Sequence, residues 1–381
     1  QKKCYLIYGE STPKLISMCL IWLMKILYDY SIFTHQPLGG ISRYFINLDI
    51  ENKKNIHDSI ILAPIHFNKF LNNYKSSKGI YIKKFPKYSS KVFRLYNNIV
   101  TNRFTKNFKP DVFHKTYYND YWPKNFSGKI VLTVYDLIHE KFYKDYNFKL
   151  NYRPKEKSLN NADLIITISN KTKSDLIKYY NIASKKIFVT HLGVNSLQDR
   201  LDYNIINKPY ILYVGERKRY KNFINLLNAY VVSKKINKSY KLVLFGGGRL
   251  YSSELELIKK YKVDLNSIIQ ISGDDRKLSS LYNYSDLFVF PSKYEGFGLP
   301  LLEAASKNCP IACSNIEVFK EIMGDTVQYF DPNSVDDIIE KLEQVLFSNA
   351  LKKDLTIKAS KILSNYSWSK CAKETLDVYK K

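Results

Sequence analysis

The fold is decided by one stretch of the chain, Pro291-Ser-Lys-Tyr-Glu-Gly-Phe-Gly-Leu-Pro-Leu-Leu-Glu303. Its two glutamates, Glu295 and Glu303, stand eight positions apart on either side of a glycine pair. An apolar run at 287–290 precedes the stretch and a helix-like segment follows at 299–306, which indicates a strand, a glycine loop and a helix start. Free backbone N–H groups at such a helix start attract anions. The arrangement suits a ligand with a phosphate end and a hydroxyl-rich end, such as a nucleotide sugar.

The same stretch resembles the Glu-x7-Glu signature of glycosyltransferase family 4, whose members are retaining enzymes with the two-domain GT-B fold. The resemblance implies that Glu295 contacts the donor sugar and phosphates, and that Glu303 binds the nucleotide ribose. It also implies that the donor is held by the loop residues Gly296, Phe297, Gly298 and Leu299. The alternative interpretation is a surface helix with two solvated glutamates.

Length and charge set the limits for the rest of the chain. At 381 residues it exceeds the usual size of one core, so two domains are expected. The net charge of +25 comes mostly from scattered lysines, without zinc-finger spacing or an aromatic RNA-binding signature. Solvated surface charge is therefore the first interpretation, a patch facing an anionic membrane the second, and nucleic-acid binding a distant third.

Cysteine usage and the N-terminal residues bear on location. The chain has five cysteines, too few and too irregularly spaced for a disulfide framework, which fits a reducing cytoplasm. Residues 1–23 are expected to form an extension outside the fold, because the first strand-like run begins at Met24. The apolar run at 15–24 is short of the roughly 20 residues that span a bilayer, and no small-residue cleavage site follows it.

Apolar, strand-like runs alternate with amphipathic segments along the chain, which predicts parallel sheets wrapped by helices. Strands are expected at 25–33, 58–64, 79–85, 111–115, 129–135, 163–168, 186–190, 210–215, 240–246, 267–272, 286–290, 310–314 and 327–330. Helices are expected at 41–51, 90–107, 170–180, 221–236, 252–262, 276–284, 334–347 and 351–364. The fold class is therefore α/β, with two Rossmann-like domains.

A polar segment, 195–208, ends at Pro209 and is the expected domain linker. It separates an N-terminal Rossmann-like domain, 24–198, from a C-terminal one, 205–362. The resemblance implies that the first domain binds the acceptor and the second the nucleotide sugar, across a central cleft. It also implies that the tail, 363–381, is a helix that Ser367 caps and that crosses back to the first domain.

A basic strand-to-helix turn follows the strand that ends at Gly215. The segment Val214-Gly-Glu-Arg-Lys-Arg-Tyr-Lys-Asn222 resembles the family pattern Val-Gly-x-Arg-x-x-x-Lys-Asn. Two cations at such a turn can neutralise a leaving diphosphate, and the resemblance gives this role to Arg217 and Lys221. A basic surface loop is the alternative, because lysine occurs throughout the chain.

Glycines mark two further turns of the expected site. Gly39-Gly40-Ile-Ser-Arg-Tyr44 follows the first strand and resembles the family's first strand-helix turn, which faces the donor phosphates and the acceptor. Ile271-Ser-Gly273-Asp-Asp275 resembles the loop over the nucleotide base. Plain structural turns are the alternative for both. The glycines of Phe245-Gly-Gly-Gly-Arg249 lack dinucleotide-binding spacing.

Histidines near strand ends are the candidates for the acceptor side. Thr133-Val-Tyr-Asp-Leu-Ile-His-Glu140 resembles a variant of the mannosyltransferase-like branch, with tyrosine where many members carry a histidine. The resemblance makes Asp136 and His139 candidates for positioning the acceptor at the end of a strand. His114 and His139 are each as readily structural as functional, whereas His191 is expected to be structural.

Together these features predict a retaining hexosyltransferase of surface polysaccharide or lipopolysaccharide synthesis. The resemblance implies a front-face displacement in which the leaving diphosphate assists deprotonation of the incoming hydroxyl. The resemblance to the mannosyltransferase-like branch implies GDP-mannose as the leading donor, with a UDP-hexose second. The expected acceptor is a saccharide or a lipid-linked saccharide, and neither a cofactor nor a metal is expected. The expected location is cytoplasmic, with the inner face of the membrane as a further option. Two alternatives stay open, namely a GT-B nucleotide-sugar 2-epimerase and a non-catalytic sugar- or nucleic-acid-binding protein.

Overall fold

The computed structural model describes residues 23–142, 152–194, 203–217 and 219–381. The chain divides into two compact units, the first of Gln1–His114 and Tyr121–Lys129, the second of Lys115–Asp120 and Ile130–Lys381. The predicted N-terminal extension and most of the predicted linker lie outside the described residues. Among the described residues, no helix is both long enough and apolar enough to cross a bilayer.

The described strands are short and mostly buried. They are β1 (Lys25–Tyr28), β2 (Asp58–His66), β3 (Lys78–Tyr81), β4 (Val112–Lys115), β5 (Lys129–Val134), β6 (Leu164–Thr167), β7 (Ile187–Val189), β8 (Tyr210–Val214), β9 (Lys241–Phe245), β10 (Ile268–Ile271), β11 (Leu287–Phe290), β12 (Ile311–Ser314) and β13 (Gln328–Phe330).

The described helices lie between these strands and after the last one. They are α1 (Gly40–Lys54), α2 (Lys69–Asn72), α3 (Ser90–Phe108), α4 (Ile138–Lys141), α5 (Tyr152–Asn161), α6 (Asn170–Tyr180), α7 (Phe223–Val232), α8 (Lys234–Ser239), α9 (Ser252–Lys260), α10 (Asp275–Asn283), α11 (Leu299–Ala305), α12 (Glu317–Met323), α13 (Val335–Leu346), α14 (Asn349–Ile362) and α15 (Trp368–Tyr379).

Two parallel sheets organise the fold. The N-terminal sheet has the order β3-β2-β1-β4-β5-β6-β7, and the C-terminal sheet the order β10-β9-β8-β11-β12-β13. Strands covered on both faces read as continuous apolar runs, and Leu287–Phe290 is buried at every position. The α/β class with two Rossmann-like sheets is confirmed, and each predicted strand has a counterpart among the described ones.

The strand order reverses once in each sheet, and ligands of open α/β sheets bind at such reversals. In the C-terminal sheet β8 pairs with both β9 and β11. The basic turn directly follows β8 in the chain, and the glycine loop directly follows β11. The fold therefore brings the two main predicted motifs to one edge of this sheet.

Two predicted elements have different bounds in the structure. The strand expected at 25–33 ends at Tyr28, because buried Asp29 accepts hydrogen bonds from Ser31 and a 3₁₀ turn follows at Ile32–Thr34. The prediction of a single helix at 221–236 was wrong, because the structure has two helices there, α7 and α8. Ser233 separates the two, since its hydroxyl accepts from the Ile236 N–H at 3.1 Å and caps α8.

The terminal helix α15 packs against β6 of the N-terminal sheet, as expected. Its N-cap is Ser367, whose hydroxyl accepts from the Lys370 N–H at 3.2 Å. Just before it, the Tyr366 carbonyl accepts from the Val194 N–H at 2.8 Å. A Cβ at Gly193 would lie 2.4 Å from the Trp368 nitrogen, so only glycine allows this close approach.

Candidate functional site

The glycine loop, residues 291–298, connects β11 to α11. Gly298 precedes the helix with φ of 111°, a conformation that residues with a Cβ rarely adopt. A proline stands in the first turn of α11, where no backbone donor is lost to the helix. The loop therefore delivers Glu295 to the carboxyl end of β11 and turns directly into the helix that carries Glu303.

Gly296 fixes this loop against the end of β5. Its carbonyl accepts from the Ser169 hydroxyl at 2.8 Å and from the Thr172 hydroxyl at 3.3 Å. A Cβ at Gly296 would lie 1.9 Å from the Tyr135 carbonyl oxygen and 3.2 Å from the Asp136 Cβ. The glycine loop and Asp136, which sequence reasoning placed in one site, are thus neighbours.

Lys221 and Glu295 form the charged centre of the site. Lys221 ends a 3₁₀ turn after β8, and its Nζ lies 2.6 Å from Glu295 Oε1. The two side chains are only 21% and 12% exposed. Burial acts to lower the pKa of Lys221, but the Glu295 carboxylate outweighs it with help from Tyr220 and Asp136, so the pKa is raised. Lys221 therefore keeps its charge at neutral pH.

Arg217 lies at the same strand end but faces the glycine turn at 246–249. Its Nε donates to the Glu254 carboxylate at 3.0 and 3.2 Å, and its other nitrogens donate to the carbonyls of Gly248, at 3.1 Å, and Arg249. Its side chain is fully buried. These contacts shape the turn after β9, and the expected role of Arg217 at a diphosphate stays a prediction.

The two residues expected to bind the ribose and base, Glu303 and Gly273, lie on neighbouring elements. Glu303 on α11 accepts a long hydrogen bond, 3.4 Å, from the Tyr282 hydroxyl of α10. Gly273 is exposed and precedes α10, whose N-cap Asp274 accepts from the Lys277 N–H at 3.1 Å. Tyr282 is buried beside Glu303, and both effects raise the pKa of its hydroxyl. Gly215, with φ of 125°, begins the basic turn.

Asp136, which is expected to position the acceptor, is ordered by its own turn. Its carboxylate accepts from the Ile138 N–H at 3.1 Å, and its carbonyl accepts from Lys155 Nζ at 3.0 Å. His139 is exposed on α4. The structure therefore places Asp136 beside the glycine loop and His139 at the surface.

Tyr294 is a site residue that sequence reasoning missed. Its hydroxyl donates to Asp175 Oδ2 at 2.8 Å and accepts from the Leu137 N–H at 3.3 Å. Tyr294, the residue before Glu295, thus connects the glycine loop to Leu137, the residue after Asp136. Tyr294 belongs to the quoted stretch, but nothing in the sequence indicates its partner 119 positions away.

Two histidines contact other side chains of the protein. His114 of the first unit is fully buried against the rings of Tyr28 and Phe45, and burial lowers its pKa to about 3. His191 Nε2 lies 2.9 Å from Glu321 Oε1, and its ring is 5.9 Å from that of Phe297 in the glycine loop. The expected structural character of His191 is not tested by these contacts.

The glycine pair Gly39-Gly40 belongs to the first unit, where it starts α1. A Cβ at Gly39 would lie 2.2 Å from the Gln36 side-chain oxygen. Among the described residues, no group of three or more His, Cys, Asp or Glu side chains is arranged to hold a metal.

Two family models together match most of the chain. A family model described as Glycosyl transferases group 1 matches residues 199–362, and one described as Glycosyltransferase Family 4 matches residues 38–196. O-antigen chain mannosyltransferase B of Escherichia coli is 28% identical to the chain, over 94% of this chain and 100% of its own length. Serotype-specific mannosyltransferase WbdA of Escherichia coli is 29% identical over 65% of this chain, which spans 33% of that longer protein.

A solved structure has the same fold. HepE of Anabaena, in complex with UDP and glucose, superposes with a TM-score of 0.71 at 14% identity, covering 93% of this chain and 98% of that one. At this level of identity the likeness concerns the fold alone.

Proposed function

Because the chain belongs to the family 4 glycosyltransferases with the GT-B fold, we propose that it transfers a hexose, with retention, from a nucleotide-diphospho-sugar. The acceptor we propose is a saccharide or lipid-linked saccharide of O-antigen or lipopolysaccharide synthesis, as the name of the Escherichia coli relative suggests. The observation that carries the proposal is the mostly buried Lys221–Glu295 pair at the glycine loop, where the strand order reverses.

Lys221 and the loop would stabilise the departing diphosphate. A cation held at fixed distance in a site shielded from water is worth more than the same charge in solution. Lys221 is mostly buried and keeps its charge, and Gly296, Phe297, Gly298 and Leu299 offer backbone groups at the start of α11. Glu295 would orient the hydroxyls of the donor sugar.

Arg217 is proposed as the second cation of the diphosphate site. Like Lys221, it follows the end of β8, and its guanidinium group is buried. Binding a phosphate would require it to exchange one of the carbonyl contacts of the glycine turn. Gly215 would give the ligand access to the backbone at the start of the basic turn, since nothing lies within 4 Å of its Cβ position.

Nucleotide and acceptor would occupy opposite sides of this centre. Glu303 would bind the ribose and Gly273 would approach the base. Asp136 and His139 would position the acceptor hydroxyl. In domain terms, residues 24–198 would serve the acceptor and 205–362 the donor, with 363–381 packing back.

The proposed donor is GDP-mannose, with UDP-hexoses as the second choice. The mannosyltransferase names of the two Escherichia coli relatives support mannose. A lipid-linked acceptor would place the reaction at the inner face of the cytoplasmic membrane, and neither a cofactor nor a metal is proposed.

The test is release of nucleoside diphosphate from each donor, with and without oligomannose or O-antigen acceptors. Release that needs an acceptor and yields an α-linked product is the expected result. Acceptor-independent turnover of the donor would instead point to a nucleotide-sugar 2-epimerase. No turnover combined with unchanged ligand binding in Lys221→Ala would point to a non-catalytic binder.

A further inference from the structure

Helix α3 of the first unit packs with a polar face. Its buried residues are Asn97, Thr101 and Thr105, which lie about one helical turn apart. The Asn97 side chain accepts from the Ile65 N–H at 2.9 Å and donates to the Ile65 carbonyl at 3.0 Å, so it joins α3 to β2. A surface helix ordinarily buries apolar residues and exposes polar ones, and α3 does the reverse at its centre.

The outward face of α3 carries an apolar row. Val92, Leu95 and Ile99 follow one another at helical spacing and are 66%, 61% and 60% exposed. Tyr96 on the same face and Tyr88 just before the helix are also exposed. Contiguous exposed apolar side chains mark interaction sites on soluble proteins, whereas single ones do not.

Lysine and arginine supply all the formal charge in the sequence around this row. Between Ser59 and Pro110 the sequence contains eleven Lys and Arg residues and not one Asp or Glu. The nearest in sequence that do not share the helix face of Asn97 are exposed, and they are Lys83, Lys84, Lys87, Lys91 and Arg103. An apolar row with such a rim complements a surface that is anionic outside and apolar beneath.

We propose that the α3 surface, defined as Tyr88, Val92, Leu95, Tyr96 and Ile99 with the five exposed cations close to them in sequence, docks on an anionic phospholipid bilayer. The cations would contact lipid phosphates, and the apolar row would enter the boundary between headgroups and acyl chains. The ring-and-hydroxyl side chains of Tyr88 and Tyr96 suit that boundary. This inference concerns the first unit alone and does not rest on the proposed function.

Charge decides against the two other occupants of such a surface. A second copy of the chain would bring two strongly basic surfaces together, and like charges repel. A nucleic acid would use the cations but leave the apolar row in water. A bilayer with anionic lipid uses both features.

The test is co-sedimentation of the full chain with vesicles of phosphatidylcholine alone and of phosphatidylcholine mixed with phosphatidylglycerol. We expect binding to the anionic vesicles only, weakened by high salt, because the headgroup attraction is electrostatic. Leu95→Ser/Ile99→Ser should weaken the partition coefficient about tenfold or more. Leu255→Ser/Ile357→Ser, which changes two exposed apolar residues of the second unit, is the matched control and should bind like wild type.

A second pair of variants separates local charge from net charge. Lys84→Glu/Lys87→Glu should abolish binding, while Lys353→Glu/Lys361→Glu, with the same change in net charge, should leave most of it. All four positions are exposed, and melting temperatures would verify that each variant is folded. The proposal is overturned if wild type does not bind anionic vesicles, or if the α3 variants bind as well as their controls. Loss of a dimer in the Leu95→Ser/Ile99→Ser variant, with vesicle binding intact, would overturn it in favour of self-association.

Discussion

Single residues determine the chemistry of the site through contacts that tolerate little change. The Lys221 ammonium and the Glu295 carboxylate lie 2.6 Å apart in mostly buried positions, and the carboxylate raises the pKa of Lys221. Gly296 lies against the Tyr135 carbonyl with no room for a side chain. These two features give different predictions, one about catalysis and one about stability.

Replacing Lys221 with alanine should lower kcat by about 10²- to 10³-fold, because one preorganised charge at the leaving group is lost. Lys221→Arg should recover part of the rate, since the positive charge remains. The measurement is the initial rate of nucleoside diphosphate release. Lys353→Ala, at an exposed position far along the chain, serves as control. A rate in Lys221→Ala equal to that of the control would remove Lys221 from the mechanism.

Gly296→Ala should destabilise the protein by about 1–3 kcal/mol, because the added methyl group must displace backbone. Its Cβ would lie 1.9 Å from the Tyr135 carbonyl oxygen. Gly273→Ala is the control, since its Cβ meets only the flexible Lys277 side chain. Urea unfolding of both variants provides the comparison. Equal stability of Gly296→Ala and wild type would show that the loop does not lie against β5 as described.

Elements were largely predictable, and the contacts between them were not. Each strand could be recognised because a buried parallel strand is a short apolar run bounded by turns. The break at Ser233 was missed, since a serine within a helical pattern can also be a cap. Arg217 and Glu254 lie 37 positions apart with no sequence signal linking them. The motif residues Lys221 and Glu295 were predicted for one site through resemblance, yet their direct ion pair was not.

The hydroxyl of Tyr294 connects three elements, the glycine loop, the end of β5 and α6. Tyr294→Phe should lower the free energy of unfolding by about 1–2 kcal/mol, because Asp175 and the Leu137 N–H both lose a partner. Tyr88→Phe is the control, because that side chain is 84% exposed. Denaturant titrations of the two variants would give the difference. An unchanged value for Tyr294→Phe would mean that the bridge contributes nothing to stability.

At the scale of the whole molecule, the buried His114 makes the free energy of unfolding depend on pH. The pKa of His114 is about 3 in the folded protein, against an ordinary value of 6.5. As the pH falls below 6.5, the unfolded chain therefore binds this proton before the folded protein does, which lowers the free energy of unfolding. Above pH 6.5 the histidine is neutral in both states, and the full stability is present. It is lost progressively as the pH falls towards 3, at about 1.4 kcal/mol per pH unit.

His114→Phe should flatten the acid side of the stability profile by about that slope, because phenylalanine fills the same aromatic site without binding a proton. Unfolding free energies measured across the acid range would reveal the change. His35→Phe, at an exposed histidine of the same unit, should leave the slope as it is. An identical slope in His114→Phe and wild type would contradict the buried, neutral state of His114.

Our main proposal is that the loop between β11 and α11, together with Lys221, holds a nucleotide-diphospho-sugar. It is tested most directly by thermal shift against GDP-, UDP-, ADP- and dTDP-sugars, with Glu303→Ala as the comparison, since ligand binding raises stability by mass action. We expect a rise in melting temperature with one nucleotide class, and the loss of that rise in Glu303→Ala. No rise with any nucleotide sugar, or an equal rise in the variant, would contradict it.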